Sequence, residues 1–421
     1  MHLCVLGAGV IGVTSAYRLL EAGHQVTLVD AMPAPGAGAS YANGAQLSYS
    51  YVAPLADPSV WTQWPHYLFG ANSPLTLRPQ ADPAQWRWLL HFMADCTPRQ
   101  VQRTTIALLR LAFFSRNQLA QLRTQLSFDF LHRTAGKLVM FSDEKALQAA
   151  AAQIAFQAKH GCQQQILDVP RCLEIEPALA ASARQWAGGV YTVDEEVGDC
   201  ALFCQGLVDA MSRQPGFRFL HSTRVTGVDV KNHVLRSITT SSGKIDADAY
   251  VLALGVESAD FAKRAGFSLP LYPLKGYSIT VPLGGHAATA APQVSITDLS
   301  RKIVYARLGD RLRVAGRVEL VGMDRTITKR AIDELTRAVA EMFPACADLS
   351  DAAALSPWAG FRPATPSGLP IIGASPIQNL YLNVGHGSLG WTLACGSAAL
   401  LAARIAGKKA AIDDEAYCLR A

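Results

Sequence analysis

Gly7, Gly9 and Gly12 stand in the spacing G-x-G-x-x-G, and Asp30 follows eighteen residues after the last of them. The run His2 to Leu6 before the glycines is apolar and strand-like. Val13 to Leu20 after them has helical spacing, and Val26 to Val29 reads as a second strand ending at the acid. Strand, glycine turn, helix, strand, acid is the order in which a βαβ unit binds a dinucleotide. Gly7 permits the tight turn, Gly9 lets a pyrophosphate approach bare backbone, and Gly12 lets the helix pack close to the sheet. The Val10 and Ile11 amides sit at the positive end of that helix and face the phosphates. Asp30, with Ala31 beside it, lies where a carboxylate accepts bonds from a ribose hydroxyl. Taken alone, the turn leaves the choice between FAD and NAD open.

A second group of chemical residues lies near the C-terminal end of the sequence. Arg362 is the one arginine in the glycine- and proline-rich stretch Gly360 to Gly373. A rigidly held guanidinium can grip a carboxylate through two parallel hydrogen bonds, or can serve a structural ion pair. Leu380 to Val384 is a strand pattern, and Gly385, His386, Gly387, Leu389, Gly390 and Thr392 turn it into a helix reaching Ala403. This junction offers another set of free amides. A flavin needs such a site, because reduction places negative charge at its pyrimidine end. His386 is assigned no proton-transfer role, since a histidine in a glycine turn is often simply hydrogen-bonded there.

The elements that must position these residues follow from pattern. After Asp30 comes a Pro/Gly-rich loop, then Ser40, Asn43, Gly44, Ala45, Gln46 and Leu47 in a stretch of small, amide and hydroxyl residues. It reads as a loop around a polar ligand or as a surface loop. Residues 49–95 are aromatic-rich, and around Trp61 to Phe69 they form either a membrane-surface contact or a buried cap. Residues 99–125 and 143–160 are amphipathic helices. Arg218 to Leu220 and Arg224 to Val230 read as a strand pair. Tyr250 to Leu254 is a buried strand delivering Ala253 and Gly255 at its C-terminal end, the edge where open α/β sheets bind ligands. Strands with one exposed face alternate over 270–345. The fold class is α/β, a discontinuous nucleotide-binding domain (1–55, 197–260 and 355–421) with an inserted domain (56–196 and 261–354).

Composition excludes several classes. With 421 residues, 50% of them hydrophobic and 17% charged, the chain is globular and long enough for two domains. A net charge of +5, scattered over the chain, gives no nucleic-acid footprint. Nine cysteines without a CxxC pair argue against a disulfide framework or a metal site and for a reducing compartment. The apolar N-terminus lacks a basic region and is read as strand, not as a signal peptide.

With these blocks in view the chain resembles the D-amino acid dehydrogenase small-subunit family, within the FAD-dependent D-amino acid, glycine and sarcosine oxidases. The likeness is carried by GAGVIGVTSAYRL at the start, YANGAQLS, GDCALF at 198–203, YPLKGYSITVP at 272–282 and the block from Gly360 to Ser397. Family members often have a glycine at the second position of Gly44-Ala45. The resemblance implies FAD, a Rossmann-like FAD domain and a substrate domain with a large antiparallel sheet. It places the FAD pyrophosphate at Gly7 to Gly12, the adenosine ribose at Asp30, an adenine contact at Val225, and the pyrimidine end at Gly387 to Thr392. Arg362 becomes the substrate-carboxylate residue, counted also among the flavin contacts, with Tyr51 and Tyr277 as pocket walls or further carboxylate contacts. The implied reaction is oxidative deamination of a D-amino acid by hydride transfer to flavin, giving a 2-oxo acid and ammonia. Electrons would pass to a quinone-type acceptor from a cytoplasmic protein touching the inner membrane face. The alternatives are a D-proline or D-hydroxyproline dehydrogenase, an oxygen-using glycine or sarcosine-type oxidase, and an FAD-binding subunit active only with a partner subunit. No iron–sulfur pattern is present, so a further redox centre would sit on another chain.

Overall fold

The computed structural model describes residues 1–61, 75–125, 128–284, 289–349, 351 and 354–420. Trp64, Tyr67 and Phe69 of the aromatic stretch lie outside the described residues.

The opening strand His2–Leu6 sits inside a six-stranded sheet. The order across it is Phe217–Leu220, Gln25–Val29, His2–Leu6, Ala249–Leu252, Leu380–Val384 and Ile371–Ala374. The first five are parallel and the last is antiparallel. Strand alternation sends Leu3, Val5, Val26 and Leu28 into a helical layer made by Val10–Glu21, Pro98–Gln125, Cys200–Ser212 and Gly390–Ile405. Cys4, Leu6, Tyr250 and Leu252 face the other way, against Leu235, Ile238 and the short three-stranded sheet of Val225–Lys231, Val234–Thr240 and Gly243–Ile245. Because both faces are covered, the strands are continuous apolar runs. The ends of four parallel strands bring Gly7, Asp30, Ala253 and Gly385 to one edge.

Two elements packed with this sheet differ from the sequence expectation. Phe217–Leu220 does not pair with the strand that follows it; it extends the parallel sheet, with Leu220 beside Val29. Pro98–Gln125, expected in the inserted domain, lies in the helical layer of the six-stranded sheet. Gly396 on Gly390–Ile405 makes this fit: a Cβ there would lie 2.9 Å from the Ser115 Cβ, and its amide donates to Ser115 Oγ at 3.1 Å. Periodicity identifies a buried face but not the sheet that buries it.

The second sheet has nine strands. Its path runs Trp358–Ala364, Tyr272–Pro282, Arg311–Leu320, Ile303–Leu308, Ser295–Asp298, Lys137–Phe141, Gly188–Thr192 and Gln164–Leu167, with Leu75–Leu77 beside Arg311–Leu320. The contacts are antiparallel except where Ser295–Asp298 meets Lys137–Phe141 and Arg311–Leu320 meets Leu75–Leu77. The strand Trp358–Ala364 belongs here, although the sequence reading put residues 355–421 with the nucleotide-binding segments. One face packs on helix Lys329–Met342, whose Leu335, Ala338, Val339 and Met342 meet Tyr277, Ile279, Tyr305 and Val314. Its start is capped by Thr328, which accepts from the Ala331 amide. The opposite face looks onto residues 40–51. Gly387–Ile405 is long and apolar enough to cross a membrane, but here most of it is buried in the helical layer.

Candidate functional site

The opening turn is built by close approach. Gly7 has φ +105°, and a Cβ on it would lie 2.4 Å from the Ala253 carbonyl oxygen. Gly12 is tighter still: its Cβ would lie 1.7 Å from the Gly7 carbonyl oxygen, so only glycine lets the helix start so near the strand end. Gly9 is the helix N-cap and offers no side chain, while Val10 donates its amide to the Ser40 hydroxyl at 3.0 Å. Asp30 accepts from the Ala8 amide at 2.5 Å and the Met32 amide at 2.7 Å. Burial raises its carboxyl above the usual range, and those two amides oppose the rise. Asp30, Ala31, Val225 and Leu254 line one side of a cleft of about 680 Å³; Tyr272, Pro273 and Met323 line the other. Ala253 and Gly255 end the neighbouring strand. Gly255 has φ +58° and open space where a Cβ would be.

Residues 40–51 run beneath the nine-stranded sheet and are fastened to one strand after another. Ser278 donates its hydroxyl to the Ala42 carbonyl at 2.7 Å, and Arg313 donates to the Asn43 carbonyl at 2.9 Å. Gly44 faces Val304, with room for no more than a slight adjustment if it carried a Cβ. Gln46 donates to the Ile296 and Tyr305 carbonyls, and Lys137 donates to both Gln46 and Ser48. Leu47 is buried and pairs with Glu196. Asn43 turns the chain by accepting from the Ala45 amide. That leaves Ala45 at φ +57°, the position where the resembling family often has glycine. A non-glycine residue there costs about 1–2 kcal/mol, against about 0.8 kcal/mol for the methyl buried with Val197 and Ala306. Ala45→Gly is therefore expected to raise the chemical-denaturation midpoint slightly; a clear drop would show that the methyl contact outweighs the strain.

The second glycine junction lies at the same edge. Gly385 has φ +81° and would clash with Thr365 if substituted; Gly387 has φ +54° and open space around it. Thr392, in the first turn of Gly390–Ile405, accepts from the Ser48 amide at 3.1 Å and so ties this helix end to the loop. No side chain caps that end at Leu389. His386 points into the core, its Nε2 3.0 Å from Ser397 Oγ, and burial pushes its imidazole down to about 3. It is a neutral turn residue. Two uncapped helix starts, bare glycines and a carboxylate at one sheet edge fit the phosphates, ribose and ring of a flavin dinucleotide.

Arg362 lies opposite Leu274 in the register of Trp358–Ala364 with Tyr272–Pro282, one residue from the pair Pro273–Pro363 at the cleft wall. Its side chain lies over Gly276: a Cβ there would be 2.6 Å from Nη2 and 2.9 Å from Cζ. The guanidinium is half-buried, and among the described residues it has no hydrogen bond and no ion pair. Burial alone pushes it down to about 10. A desolvated arginine without an anion has the chemistry to accept one from a ligand. Gly276→Ala is expected to displace the guanidinium and weaken substrate binding about tenfold at constant FAD content; an unchanged Michaelis constant would count against the site.

The structure does not bring Tyr277 to Arg362. Strand alternation turns it to the opposite face, where its hydroxyl donates to Glu319 at 2.7 Å in the core under Lys329–Met342. Burial, then Glu319, push its phenol up. Tyr277 is withdrawn as a pocket wall. Tyr51 is partly exposed, burial among its neighbours pushes it up to about 12, and the Lys137 ammonium lies 4.4 Å from its ring centroid. The sequence reading missed Gly276, Arg313, Lys137 and Glu195. A lone lysine heading the apolar run Leu138 to Phe141 was the available signal for one of them.

Residues 2–404 match the family described as FAD dependent oxidoreductase. The chain is 46% identical to D-amino acid dehydrogenase 2 of Ralstonia nicotianae over 100% of both chains. It is 45% identical to D-amino acid dehydrogenase 2 of Pseudomonas aeruginosa, over 98% of this chain and 96% of that one. Among solved structures, glycine oxidase from Geobacillus kaustophilus superposes with a TM-score of 0.76 at 21% identity, covering 99% of this chain and 98% of that one. L-proline dehydrogenase from P. horikoshii superposes with a TM-score of 0.75 at 17% identity, covering 99% and 96%. These confirm the expected Rossmann-like FAD domain joined to a sheet-rich substrate domain, and the cofactor left open by the glycine turn is FAD. The chain belongs to the FAD dependent oxidoreductase family.

Proposed function

We propose that this oxidoreductase deaminates D-amino acids to 2-oxo acids and ammonia. The observation that carries the reading is Arg362, an unpaired, desolvated guanidinium given room by Gly276 and lying one residue from the pair that includes the cleft-lining Pro273. The names of the full-length relatives support the substrate class. In this reading Gly7, Gly9, Val10, Ile11 and Gly12 hold the FAD pyrophosphate, and Asp30 holds the ribose. Val225 meets the adenine, and residues 40–47 cradle the ring. Gly387, Leu389, Gly390 and Thr392 receive its pyrimidine end. Bound FAD supplies the acceptor for the two electrons that leave the substrate.

The protein's own part is placement. Arg362 grips the carboxylate with two parallel bonds, which leaves the substrate Cα one rotational freedom fewer and makes the approach of its hydrogen a matter of handedness. With the carboxylate fixed on one side and the ring on the other, only one enantiomer presents its hydrogen. The oxidised product is an imino acid, and water hydrolyses it to the oxo acid and ammonia. His386, neutral across the working range, takes no part in proton transfer.

For electron disposal we favour a quinone-type acceptor at the cytoplasmic face of a membrane. Exposed Trp61, Trp86 and Leu90 support that placement. The decisive experiment is anaerobic bleaching of the bound flavin by a panel of D- and L-amino acids, followed by reoxidation with a quinone analogue or with oxygen. Bleaching by D-amino acids and fast reoxidation by quinone are expected. Bleaching by glycine or sarcosine alone, or rapid turnover with oxygen, would replace this reading with an oxidase.

A further inference from the structure

Lys137 and Glu195 are buried charges that the substrate-binding reading does not use. Lys137 is 3% exposed and Glu195 1%. The lysine begins the strand Lys137–Phe141, and the glutamate follows Gly188–Thr192, its antiparallel neighbour. They divide one segment between them. Lys137 Nζ donates to Gln46 Oε1 at 2.8 Å and to Ser48 Oγ at 2.9 Å, and stands over the Tyr51 ring. Glu195 accepts from the Tyr49 amide at 2.8 Å and the Ser50 amide at 2.7 Å. The two make no direct ion pair, so neither is neutralised by contact.

Burying two separated charges is unfavourable compared with apolar packing, so a contribution to stability is a poor reason for their presence. Their placement gives a better one. Ser48, which takes the lysine's hydrogen bond, also donates its amide to Thr392 in the first turn of Gly390–Ile405. The ammonium is therefore linked through Ser48 to the first turn of that helix, and Glu195 is engaged one and two residues further along the chain. Cation and helix end reinforce each other at one place.

We infer that Lys137 is an electrostatic positioning residue for the cofactor: its ammonium favours reduced over oxidised FAD and so raises the flavin midpoint potential. Reduction places negative charge on the flavin pyrimidine ring, and a buried cation beside the Gly390 helix end stabilises that charge in a low-dielectric setting. Burial pushes the Lys137 ammonium down to about 8, opposed by Glu195, while burial pushes Glu195 up to about 7, opposed by Lys137 and by the Tyr49 and Ser50 amides. Asp194 adds to the rise at Glu195; the Tyr49 phenol, which donates to Glu196, and the Cys162 thiol also feel Glu195, and the Tyr51 ring lies against the ammonium. The inference rests on the pyrimidine end lying at Gly390–Ile405, but not on the identity of the substrate.

The test is the midpoint potential of the holoenzyme by anaerobic dye equilibration, which needs no substrate and so fails or succeeds independently of the deaminase reading. Lys137→Gln keeps a donor to Gln46 without the charge, and Lys137→Arg keeps the charge. In Lys137→Gln, reduced FAD should bind at least tenfold more weakly relative to oxidised FAD, a fall of about 30 mV for a two-electron couple. Lys137→Arg should stay near the wild type. Should Lys137→Gln lose its FAD, wild type and Lys137→Arg still decide: the wild-type potential must fall more steeply with pH than that of Lys137→Arg in the range, below that of an ordinary lysine, where Lys137 loses its charge. A shift below threefold in Lys137→Gln, or identical pH profiles in wild type and Lys137→Arg, overturns the inference. A purely structural role would lower unfolding stability and leave the potential where it was.

Discussion

Arg362→Ala is expected to raise the Michaelis constant for a D-amino acid by about 10²–10³-fold, the equivalent of about 3–4 kcal/mol, with FAD still bound. The size follows from what surrounds the side chain. Its guanidinium has already left bulk water and has no anion among the described residues, so the incoming carboxylate supplies the missing partner without displacing another. Arg362→Lys keeps a charge but loses the planar fork, and should recover only part of the affinity. Steady-state kinetics read the effect, and visible absorbance of the purified variant reads the flavin content. A Michaelis constant within twofold of wild type would remove Arg362 from the substrate site. Loss of flavin together with activity would assign it to cofactor binding instead.

Gly12→Ala should have the opposite profile: no useful FAD retention and a destabilised apoprotein. The added methyl would stand 1.7 Å from the Gly7 carbonyl oxygen and 2.8 Å from its carbonyl carbon, with no flexible side chain to yield. Helix Val10–Glu21 must then move away from the strand end, carrying the amides proposed to face the pyrophosphate. Overpacking of this kind costs about 1–3 kcal/mol in stability, and the loss of phosphate geometry adds to it in affinity. Reconstitution of the apoprotein with FAD, followed by flavin fluorescence, measures the binding directly. Affinity within twofold of wild type would refute the close-approach argument.

What the sequence made legible differs from residue to residue. The Gly7 to Gly12 turn was readable because each glycine answers a separate steric demand, and all the demands sit within a few residues. Arg362 was readable as a carboxylate candidate from its braced setting, although Gly276, which makes its room, lies on another strand and was missed. Tyr277 failed for a definable reason. Tyr272–Pro282 is buried on both faces along nearly its whole length, so alternation says which residues share a side but not which side meets the ligand. Glu195 was read as part of an acidic turn, yet it is enclosed by backbone amides at Tyr49 and Ser50. Those partners lie about 145 residues away in sequence, beyond the reach of any local pattern.

The strand order of the six-stranded sheet has a consequence for biosynthesis. His2–Leu6 gains its first neighbour, Gln25–Val29, almost at once, but its second, Ala249–Leu252, is translated some 240 residues later. At a synthesis rate of about 5–20 residues per second, one edge of the opening strand stays open for about 10–50 s on the ribosome. An unpaired apolar edge exposed for so long is a template for wrong pairing. Leu380–Val384 and the glycine junction after it come later still, so the sheet edge that brings Gly7, Asp30, Ala253 and Gly385 together is completed only near the end of the sequence. The opening strand therefore carries an unpaired apolar edge through most of synthesis, and closing it is a late step in building the sheet.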